Sequence, residues 1–500
     1  MTSTAPMSFE ALCSALRIPP VSVLVGAELG TLELLELARH FDAGTELHFL
    51  DSARPPGRAS YLVLGADLVV SARRHATSDG PDRAWVEVRA GDLLIQGEAD
   101  PFEVLRSVLR ARGPAPTDAP GFVSGGVGFL GYECGRILEV LTRRARKGLG
   151  LPDLRFVFTD VVFTRDEASG LTRLSVLGRG RDEPSARRSA EGRLAQLLNQ
   201  LENLRAEPPS AGSSERTQRI ESTHDARAYR DMVARAKEHI RTGDVFEVCV
   251  TQQFRAPSGP RDGVSLYEAL RTASPAPYSA FFRFEGAEVL SVSPERFLCL
   301  SADRVAESRP IKGTRPRGRT PEEDARLREE LGTAGKDRAE NIMIVDLVRN
   351  DLGRVSELGS VTVPELCRVE AHPSVFQLVS TVRGHLRPGL DGIDLVKSCF
   401  PGGSMTGAPK IEAMKLIEEL EPVERGIYSG ALGYFDDRGP LSLSIVIRTF
   451  VRAGGWTTFS AGGAVVMDSD PAEEHFESLA KVRALARALT GSPWLPGDDS

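Results

Sequence analysis

The sequence predicts an α+β protein in which antiparallel β-sheets pack face to face, with helices on the outside. Strand-like segments follow one another through short turns, most clearly in "GIYSGALGYFDDRGPLSLSIVIRTFVRAGGWTTFSAGG" at residues 426–463. Connections this short favour antiparallel sheets over a repeated βαβ fold. Residues 186–203 carry apolar side chains at helical spacing, which supplies the helical part of the prediction.

The other elements are predicted from the spacing of apolar residues and from turn-forming residues between them. The segment "GFVSGGVGFLGYECGRILEVL", residues 121–141, is interpreted as a glycine-rich turn region that leads into a helix. Strands are predicted at 59–72, 154–166, 244–254, 278–284 and 289–300, and further helices at 226–243 and 265–274.

The length of 500 residues exceeds that of a single small core and predicts two lobes or one large α/β unit. Residues 202–225 are polar and rich in Pro, Ser and Gly, as is typical of an exposed linker. We therefore divide the chain into an N-terminal lobe (1–205), a linker (206–225) and a C-terminal region (226–492).

Composition excludes several classes of protein. A net charge of −7 argues against a nucleic-acid-binding surface over the whole chain. The longest apolar runs are too short to span a bilayer, and the N-terminus does not resemble a signal peptide. The 6 cysteines include no Cys-x-x-Cys pair, so we expect reduced thiols in a cytoplasmic protein.

Two segments raise the question of catalysis. In "ESRPIKGTRPRGR", residues 307–319, Lys312 stands between residues that favour a buried extended backbone. It is either a solvated cation in a basic loop or the amine that performs chemistry. In "VSPERFL", Glu295 follows a proline at the end of a strand. In a partly apolar site its pKa would rise and it could act as a general acid, whereas at the surface it would be an ordinary ion-paired carboxylate.

Residues 335–355, "GKDRAENIMIVDLVRNDLGRV", predict a helix that is apolar nearly all round from Ile342 to Val348 and is therefore buried. Asp337 and Glu340 lie on one face at its start. Acids at the head of a buried helix need a partner or a cation, although the helix dipole alone also favours them there.

A second acid pair, Glu474 and Glu477, begins the C-terminal helix, with Asp470 as its N-cap. Lys481 follows Glu477 at a spacing that also suits a solvated surface ion pair. Together the two acid pairs could hold a divalent cation that prefers oxygen ligands, such as Mg²⁺. No spacing of His or Cys suggests zinc instead.

Glycine-rich loops precede two of the predicted helices, in "FPGGSMTGAPK" and "SAGGAVV". Backbone N–H groups at such junctions bind anions, but a plain structural turn has the same sequence pattern. Between these loops Tyr428 and Arg448 are placed on strands, and the fork-shaped guanidinium of Arg448 suits a carboxylate ligand.

The order of the motifs resembles the chorismate-utilising enzymes, which include anthranilate, aminodeoxychorismate, isochorismate and salicylate synthases. The similarity covers about residues 225–490 and rests on "PIKGTRPRG", "AENIMIVDLVRNDLGRV", "FPGGSMTGAPK", "RGIYSGALGY", "SIVIRT" and "DSDPAEEHFES". In the N-terminal third, "LHFLDSARPPGRASYLVLGA" and "GGVGFLGYECGR" are similar to segments of the amine-forming members. The resemblance implies a fold like that of anthranilate synthase component I.

Roles for individual residues follow from this resemblance. It implies Mg²⁺ at Glu340 and Glu477, with Asp337 and Glu474 reaching the ion directly or through water, and Glu295 as the acid that protonates the departing 4-hydroxyl. Ala464 stands where the family usually has Gly. The positions that would contact the substrate chorismate are Tyr428, Arg448, Ser404, Gly407, Gly463 and Lys481.

Three further positions distinguish the branches of the family. Isochorismate and salicylate synthases use a lysine to activate water, and the matching residue in this chain is Glu247, where amine-forming members usually have Gln. Anthranilate synthases carry Ala where this chain has Lys312, whereas aminodeoxychorismate synthases carry Lys. At Gln377 anthranilate synthases place a His with an acid–base role. The resemblance therefore implies the aminodeoxychorismate branch, with Lys312 as the nucleophile.

In that branch the lysine would attack C2 and expel the 4-hydroxyl, and ammonia would then attack C4 and release the lysine. The amine must be neutral, so we expect its pKa to be lowered by burial or by Arg315 and Arg317. The chain shows no Gly-x-Cys-x-Gly turn of a fused glutaminase. The resemblance implies a separate glutamine amidotransferase subunit, which would form a heterodimer with this chain. The product would feed 4-aminobenzoate and folate synthesis.

Several alternatives stay open at this stage. Anthranilate synthase component I is the second hypothesis. A salicylate or isochorismate synthase, and a non-catalytic protein that binds chorismate or tryptophan, are the others. The sequence does not decide whether the N-terminal lobe binds tryptophan, because "FLDSA" is equally typical of a turn at the end of a strand.

Overall fold

The computed structural model describes most of the chain, and all structural statements below concern that part. The described residues are 16, 18–41, 44–52, 59–77, 80–116, 121–141, 146, 148–204, 219–372 and 375–491. Most of the proposed linker, residues 206–218, lies outside them, as does residue 205 before it.

The strands, in chain order, are β1 (Val21–Gly30), β2 (Leu47–Asp51), β3 (Ala59–Leu64), β4 (Leu68–His75), β5 (Arg83–Ala90), β6 (Leu93–Ala99), β7 (Gly125–Leu130), β8 (Leu154–Thr159), β9 (Val161–Asp166), β10 (Thr172–Gly180), β11 (Glu221–Ser222), β12 (Glu247–Pro257), β13 (Tyr278–Phe284), β14 (Ala287–Ser293), β15 (Arg296–Leu300), β16 (Val305–Arg309), β17 (Ile311–Pro316), β18 (Thr362–Ala371), β19 (Val375–His385), β20 (Gly407–Ala408), β21 (Ala431–Asp436), β22 (Leu441–Ile445), β23 (Thr449–Ala453) and β24 (Trp456–Val465).

The helices are α1 (Leu34–Arg39), α2 (Pro101–Arg112), α3 (Gly135–Leu138), α4 (Glu183–Leu204), α5 (Ala226–Thr242), α6 (Gly263–Ala273), α7 (Pro321–Thr333), α8 (Gly335–Gly353), α9 (Gly392–Cys399), α10 (Lys410–Leu420) and α11 (Pro471–Thr490).

Among the described residues the strands form two large sheets whose strand pairs are antiparallel. Sheet A has the order β1-β10-β9-β3-β2-β13-β14-β23-β24-β12-β11, with β20 added beside β12. Sheet B has the order β17-β19-β16-β15-β22-β21-β7-β8-β4-β5-β6, with β18 added beside β19. The predicted α+β class with antiparallel sheets is confirmed.

The two sheets face each other across a shared apolar layer. Val63, Phe282 and Val289 of sheet A meet Phe129 and Val157 of sheet B in this layer. The outer face of sheet A is covered by α1, α4, α6 and α11. The outer face of sheet B is covered by α2, α8 and α9. Each sheet is therefore buried on both faces, which is why its strands are so rich in apolar residues.

Strands from both ends of the chain contribute to each sheet. In sheet A, β2 pairs with β13, with Phe49 opposite Phe281. In sheet B, β7 pairs with β21, with Phe129 opposite Leu432. The two segments on either side of residues 206–225 therefore share both hydrogen-bonded sheets. Their division into an N-terminal lobe and a C-terminal region stays a prediction.

The interpretation of residues 121–141 as a turn region was wrong. Its glycines form the buried strand β7, and only the short helix α3 follows. Glycine is needed there for close approach: a Cβ on Gly128 would overlap the carbonyl oxygen of Arg155 on β8, and one on Gly125 would overlap that of Phe435 on β21.

No helix in the described part of the chain is long and apolar enough to span a bilayer.

We expect Gly128→Ala to lower the free energy of unfolding by about 2 kcal/mol or more, because the added methyl group forces β7 and β8 apart. Gly192→Ala is the control, since Gly192 lies in α4 with no atom near its missing Cβ. That change should add about 0.5–1 kcal/mol of stability. Chemical denaturation followed by circular dichroism measures both; equal stability of the two variants would contradict the packing argument.

Candidate active site

Predicted site residues lie where the chain crosses from one sheet to the other and on the neighbouring sheet edge. Glu295 follows β14 of sheet A and precedes β15 of sheet B. Arg448 lies between β22 of sheet B and β23 of sheet A. Lys312 lies on β17, the edge strand of sheet B. Side chains from both sheets therefore meet between their edges.

Lys312 is buried, with 8% of its surface exposed, and its Nζ donates to Oε1 of Glu247 at 2.6 Å. Glu247 begins β12 of sheet A and has no exposed surface. This ion pair thus joins the edge strand of one sheet to the facing strand of the other. The interpretation of Lys312 as a solvated surface cation is excluded.

The expected effect of Arg315 and Arg317 on Lys312 was wrong. Arg315 pairs with Glu330 and Asp337, and Arg317 pairs with Asp324. Neither arginine is among the largest causes of the shift in the lysine's pKa, and the expected net lowering of that pKa was also wrong.

Burial lowers the pKa of Lys312, but the negative charges of Glu247 and Glu340 more than offset this and raise that pKa above its usual value. The amine is therefore protonated at neutral pH before any ligand binds. A nucleophilic role requires that this proton be moved.

Glu295 is 6% exposed, and burial raises the pKa of its carboxyl to about 7. Hydrogen bonds from the Ser404 hydroxyl and the Ile311 backbone, and the charges of Lys312 and Arg448, oppose that rise. A carboxylic acid that keeps its proton near neutral pH beside a buried lysine can donate a proton to a departing oxygen.

Helix α8 presents the first acid pair. Asp337 accepts a hydrogen bond from Arg315 at 2.9 Å. Burial and the neighbouring charge of Glu247 raise the pKa of Glu340 to about 7, although Lys312 opposes the rise. The helix is less buried than predicted: Ile344 and Val348 face the core, but Ile342 is 45% exposed.

Helix α11 presents the second pair and begins as predicted, with the Asp470 side chain capping its first turn. Glu474 is buried and accepts from Lys336 of α8 at 3.2 Å and from Ser469 at 2.7 Å. Glu477 pairs with Lys481 at 2.8 Å, and this charge lowers the pKa of Glu477. The Lys336–Glu474 bridge brings the starts of α8 and α11 together.

The four acids do not form a compact ligand cluster, since no three His, Cys, Asp or Glu side chains among the described residues are close enough to share a metal ion. Three of them are held by cations, whereas Glu340 carries a pKa raised by burial and by like charges. A divalent cation would relieve that repulsion, and carboxylate oxygens are the ligands Mg²⁺ prefers. The chemistry of these oxygen donors therefore suits a magnesium ion, although their present spacing does not form a closed site.

Tyr428 and Arg448 were placed wrongly on strands. Tyr428 lies in the turn before β21, where burial raises its pKa. Arg448 lies in a bend with a φ of 51°, and its backbone carbonyl accepts from Val292 at 3.2 Å. The bend directs the chain from sheet B to sheet A and brings the Arg448 charge close enough to Glu295 to affect that carboxyl.

The remaining predicted positions border the same region. A Cβ on Gly407, whose φ is 139°, would overlap the carbonyl of Glu247. A Cβ on Gly463 would lie 2.7 Å from Oε2 of Glu474. Lys481 donates to the carbonyl of Gly462 at 2.8 Å. The two glycines thus provide space for acidic residues of the site.

Sequence reasoning missed two partners. Glu247 was noted only as a substitution, although an acid within the apolar segment "DVFEVCV" signals a buried charge that needs a cation. Lys336, which reaches Glu474, gave no signal in its own helix. Gln377 is buried on β19 opposite Thr314 of β17, two residues beyond Lys312.

The chain matches the model of the chorismate binding enzyme family over residues 54–487. It is 44% identical over 449 residues to aminodeoxychorismate synthase of Streptomyces pristinaespiralis, a match covering 88% of this chain and 61% of the relative. It is 41% identical over 473 residues to anthranilate synthase component 1 of Streptomyces coelicolor, covering 91% of this chain and 90% of that relative. The chain thus spans less than two thirds of the first relative.

Among solved structures, the chain is similar to anthranilate synthase component I from Streptococcus pneumoniae TIGR4. The TM-score is 0.72 at 29% identity, and the match covers 87% of this chain and 93% of that structure. The fold expected from the resemblance is confirmed.

The raised pKa of Glu295 leads to a prediction about stability. Between pH 4.5 and 7, the ordinary and native values, the native state binds more protons than the unfolded state, so the free energy of unfolding falls as pH rises. Glu295→Gln removes this loss and should stabilise the protein at pH 8 by about 3 kcal/mol, with a much smaller gain at pH 5.

Urea denaturation at the two pH values measures this difference. Glu28→Gln, an exposed position, is the control and should change stability little at either pH. An equal gain from Glu295→Gln at both pH values would show that the native carboxyl is already ionised at pH 5.

Proposed function

The chain belongs to the chorismate binding enzyme family, and from this membership we propose that it transfers ammonia to C4 of chorismate, giving 4-amino-4-deoxychorismate. The observation that carries the proposal is a buried lysine, Lys312, beside a carboxyl, Glu295, that keeps its proton near neutral pH. A nucleophile and a general acid in one water-poor site are what the substitution requires.

In the proposed reaction the Lys312 nitrogen bonds to C2 of the ring. The C1–C2 double bond shifts to C1–C6, the C5–C6 double bond shifts to C4–C5, and the 4-hydroxyl departs as water with a proton from Glu295. Ammonia then bonds to C4, the double bonds shift back, and the C2–N bond breaks. Each step is an allylic substitution, and the enolpyruvyl group is retained.

We assign Mg²⁺ to Glu340 and Glu477, with Asp337 and Glu474 beside it. When bound, the ion supplies positive charge that holds the ring carboxylate of chorismate. Binding would require Lys336 and Lys481 to give up the carboxylates with which they now pair. The raised pKa of Glu340, caused first by burial and then by the charges of Glu247 and Asp337, supports the assignment, because a bound cation stabilises the ionised carboxylate against both effects.

The proposed contacts with the rest of the substrate come from residues around this centre. Tyr428 and Arg448 would hold the pyruvyl carboxylate, and the proximity of Arg448 to Glu295 supports that position. The other proposed contact positions are Ser404, Gly407, Gly463 and Lys481.

Ammonia would come from a separate glutamine amidotransferase subunit, and the product would serve 4-aminobenzoate and folate synthesis. The greater length of the Streptomyces pristinaespiralis relative, of which this chain spans 61%, leaves room for such a function outside the matching part. The free cysteines 134, 249, 299, 367 and 399 support a cytoplasmic location. We keep 226–492 as the catalytic region and 1–205 as the N-terminal lobe.

Anthranilate synthase component I is the second candidate, because a relative of that name is 41% identical and is covered over 90% of its length. That activity releases pyruvate from chorismate. By the resemblance, anthranilate synthases carry alanine at the position that Lys312 occupies in this chain. The buried amine of Lys312 therefore favours the first candidate.

The test of the proposal follows products by mass after incubation with chorismate, Mg²⁺ and ammonium. We expect aminodeoxychorismate without pyruvate from the wild type, and a loss of at least about 100-fold in Lys312→Ala, which lacks the nucleophile. Lys397→Ala removes a lysine that pairs with Asp100, the N-cap of α2, and with Glu103 on that helix, and it should retain activity.

Anthranilate and pyruvate from the wild type would refute the proposal and select the second candidate. Salicylate or isochorismate formed without ammonium would select the other branch of the family. Unchanged activity of Lys312→Ala would show that the lysine is not the nucleophile.

Metal binding has a test of its own. Glu340 must lose its proton to bind a cation, so Mg²⁺ affinity measured by calorimetry should increase as pH rises through about 7. Glu340→Gln should weaken binding by about 10-fold or more and remove this pH dependence. Asp346→Asn changes an exposed acid on the same helix and should have no effect. Equal Mg²⁺ affinity of wild type and Glu340→Gln would refute the assignment.

A further inference from the structure

Glu247 has two features that the proposed reaction leaves unexplained. It has no exposed surface, and its Oε1 accepts a hydrogen bond from Lys312 Nζ at 2.6 Å. Its second oxygen, Oε2, is buried and has no hydrogen-bond partner in the described structure. Oε2 therefore lacks the hydrogen bond that a polar atom excluded from water usually makes, and it can accept one from a donor that moves toward it.

The carboxyl is held firmly in this position. Glu247 begins β12, where it pairs with Ala408 of β20 and lies under the close approach of Gly407. Lys312 lies between Ile311 and Thr314, which pair with β19 on either side of an irregularity in β17. The two backbones are anchored in the sheets and the Nζ–Oε1 distance is 2.6 Å, so a proton can pass directly between the two side chains.

We propose that Glu247 takes the proton of the Lys312 ammonium before the lysine attacks, stores it while the nitrogen is bonded to the ring, and returns it when the nitrogen leaves. This inference rests on the proposed function. It names a positioning and proton-accepting partner for Lys312 in the same site.

The protons and charges balance through the cycle. First, the ammonium and the carboxylate become a neutral amine and a neutral carboxylic acid. The amine attacks C2, becoming a secondary ammonium, while Glu295 gives its proton to the departing hydroxyl and becomes a carboxylate. Ammonia bonds to C4 as an ammonium group, the lysine leaves as a neutral amine, and Glu247 gives the stored proton back. The product ammonium or solvent reprotonates Glu295.

The bare oxygen has a use in this cycle. Once the proton lies on Oε1, the amine can rotate about its Cε–Nζ bond and donate one of its remaining hydrogens to Oε2. That rotation turns the nitrogen lone pair away from the carboxyl and toward the substrate. Entry of a ligand that displaces water from the remaining exposed surface of Lys312 disfavours the ammonium form, because a buried charge that loses solvation is costly.

Replacing Glu247 should change how the reaction rate depends on pH. In the wild type the proton moves within the protein, so formation of the neutral amine does not require loss of a proton to solvent. In Glu247→Gln the amide cannot accept a proton, and Lys312 must release its own to solvent. The ratio of variant rate to wild-type rate should therefore rise with pH.

Other titrating groups around the lysine affect both proteins. Besides Glu247 itself, the groups that interact with the charge of Lys312 are Glu340, Cys249, Glu295 and Glu477. Taking the ratio of the two rates at saturating Mg²⁺ removes the pH dependence that the shared groups contribute. The remaining change belongs to the Lys312–Glu247 pair.

The experiment measures chorismate consumption in a single turnover with ammonium, from pH 6 to 9. We expect Glu247→Gln to be about 100-fold slower than the wild type at pH 6 and to approach it at high pH. A ratio that does not change with pH overturns the inference: at unity Glu247 has no role, below unity it only supports the structure, and above unity it only restrains the lysine.

A second measurement needs no activity. Competitive acetylation with acetic anhydride, read at Lys312 by mass spectrometry, follows the charge of the amine in the ligand-free protein. We expect the amine in Glu247→Gln to become reactive at lower pH than in the wild type, because the opposing negative charge is gone. Identical titration of Lys312 in both proteins would overturn the inference.

Glu418→Gln is the matched control, since Glu418 is also a buried glutamate paired at 2.6 Å, but to Arg136. The ratio of the Glu418→Gln rate to the wild-type rate should not change with pH. The pH at which Lys312 becomes reactive should be the same in this variant as in the wild type. Failure of the proposed function is recognised separately, by a wild type that forms no aminated product or a Lys312→Ala variant that keeps full activity. If those tests hold and Glu247→Gln shows a flat ratio, only the present inference fails.

Discussion

The ion pair between Lys312 and Glu247 is the interaction on which the rest of the site depends. It spans the gap between the edge strand of sheet B and the facing strand of sheet A, with a separation of 2.6 Å and almost no exposed surface. A buried pair costs desolvation of both charges, so it contributes little net stability compared with an apolar contact. Its value to the protein is positional, because it places an amine where both sheets can supply further groups.

The site contains several buried charged groups that shift one another's pKa values. Glu295 and Glu340 both have pKa values raised to about 7, and in each case burial is the largest cause. The same region contains Lys312, Lys336 and Arg448, so acids and bases are packed where water cannot screen them. A ligand that brings both a cation and an anion would suit this region. Its cation would stabilise the buried carboxylates, and its anion would stabilise the buried lysines and arginine.

The fold explains how residues far apart in the chain reach one site. Two segments, at Glu295 and at Arg448, cross between the sheets, and each leaves a charged residue at its crossing point. The Lys336–Glu474 bridge then ties the start of α8 to the start of α11. The site is thus assembled from strand ends and helix starts on a rigid double sheet, which is an arrangement suited to holding several groups in fixed positions.

The sequence by itself determined the α+β class, the N-cap at Asp470 and the extended backbone at Lys312, because these depend on local pattern. It left open whether Glu295 lies at the surface, and the burial of that carboxyl in the folded chain decided that its pKa is raised. The motif order also led to the family, which the comparisons confirm. Only the tertiary structure decided which charges meet. Glu247 lies 65 residues before Lys312, and their contact requires strands from two sheets to face each other. The same reason explains the errors: the arginines next to Lys312 in sequence point to other partners, and the glycines of β7 pack against neighbouring strands that no local pattern reveals.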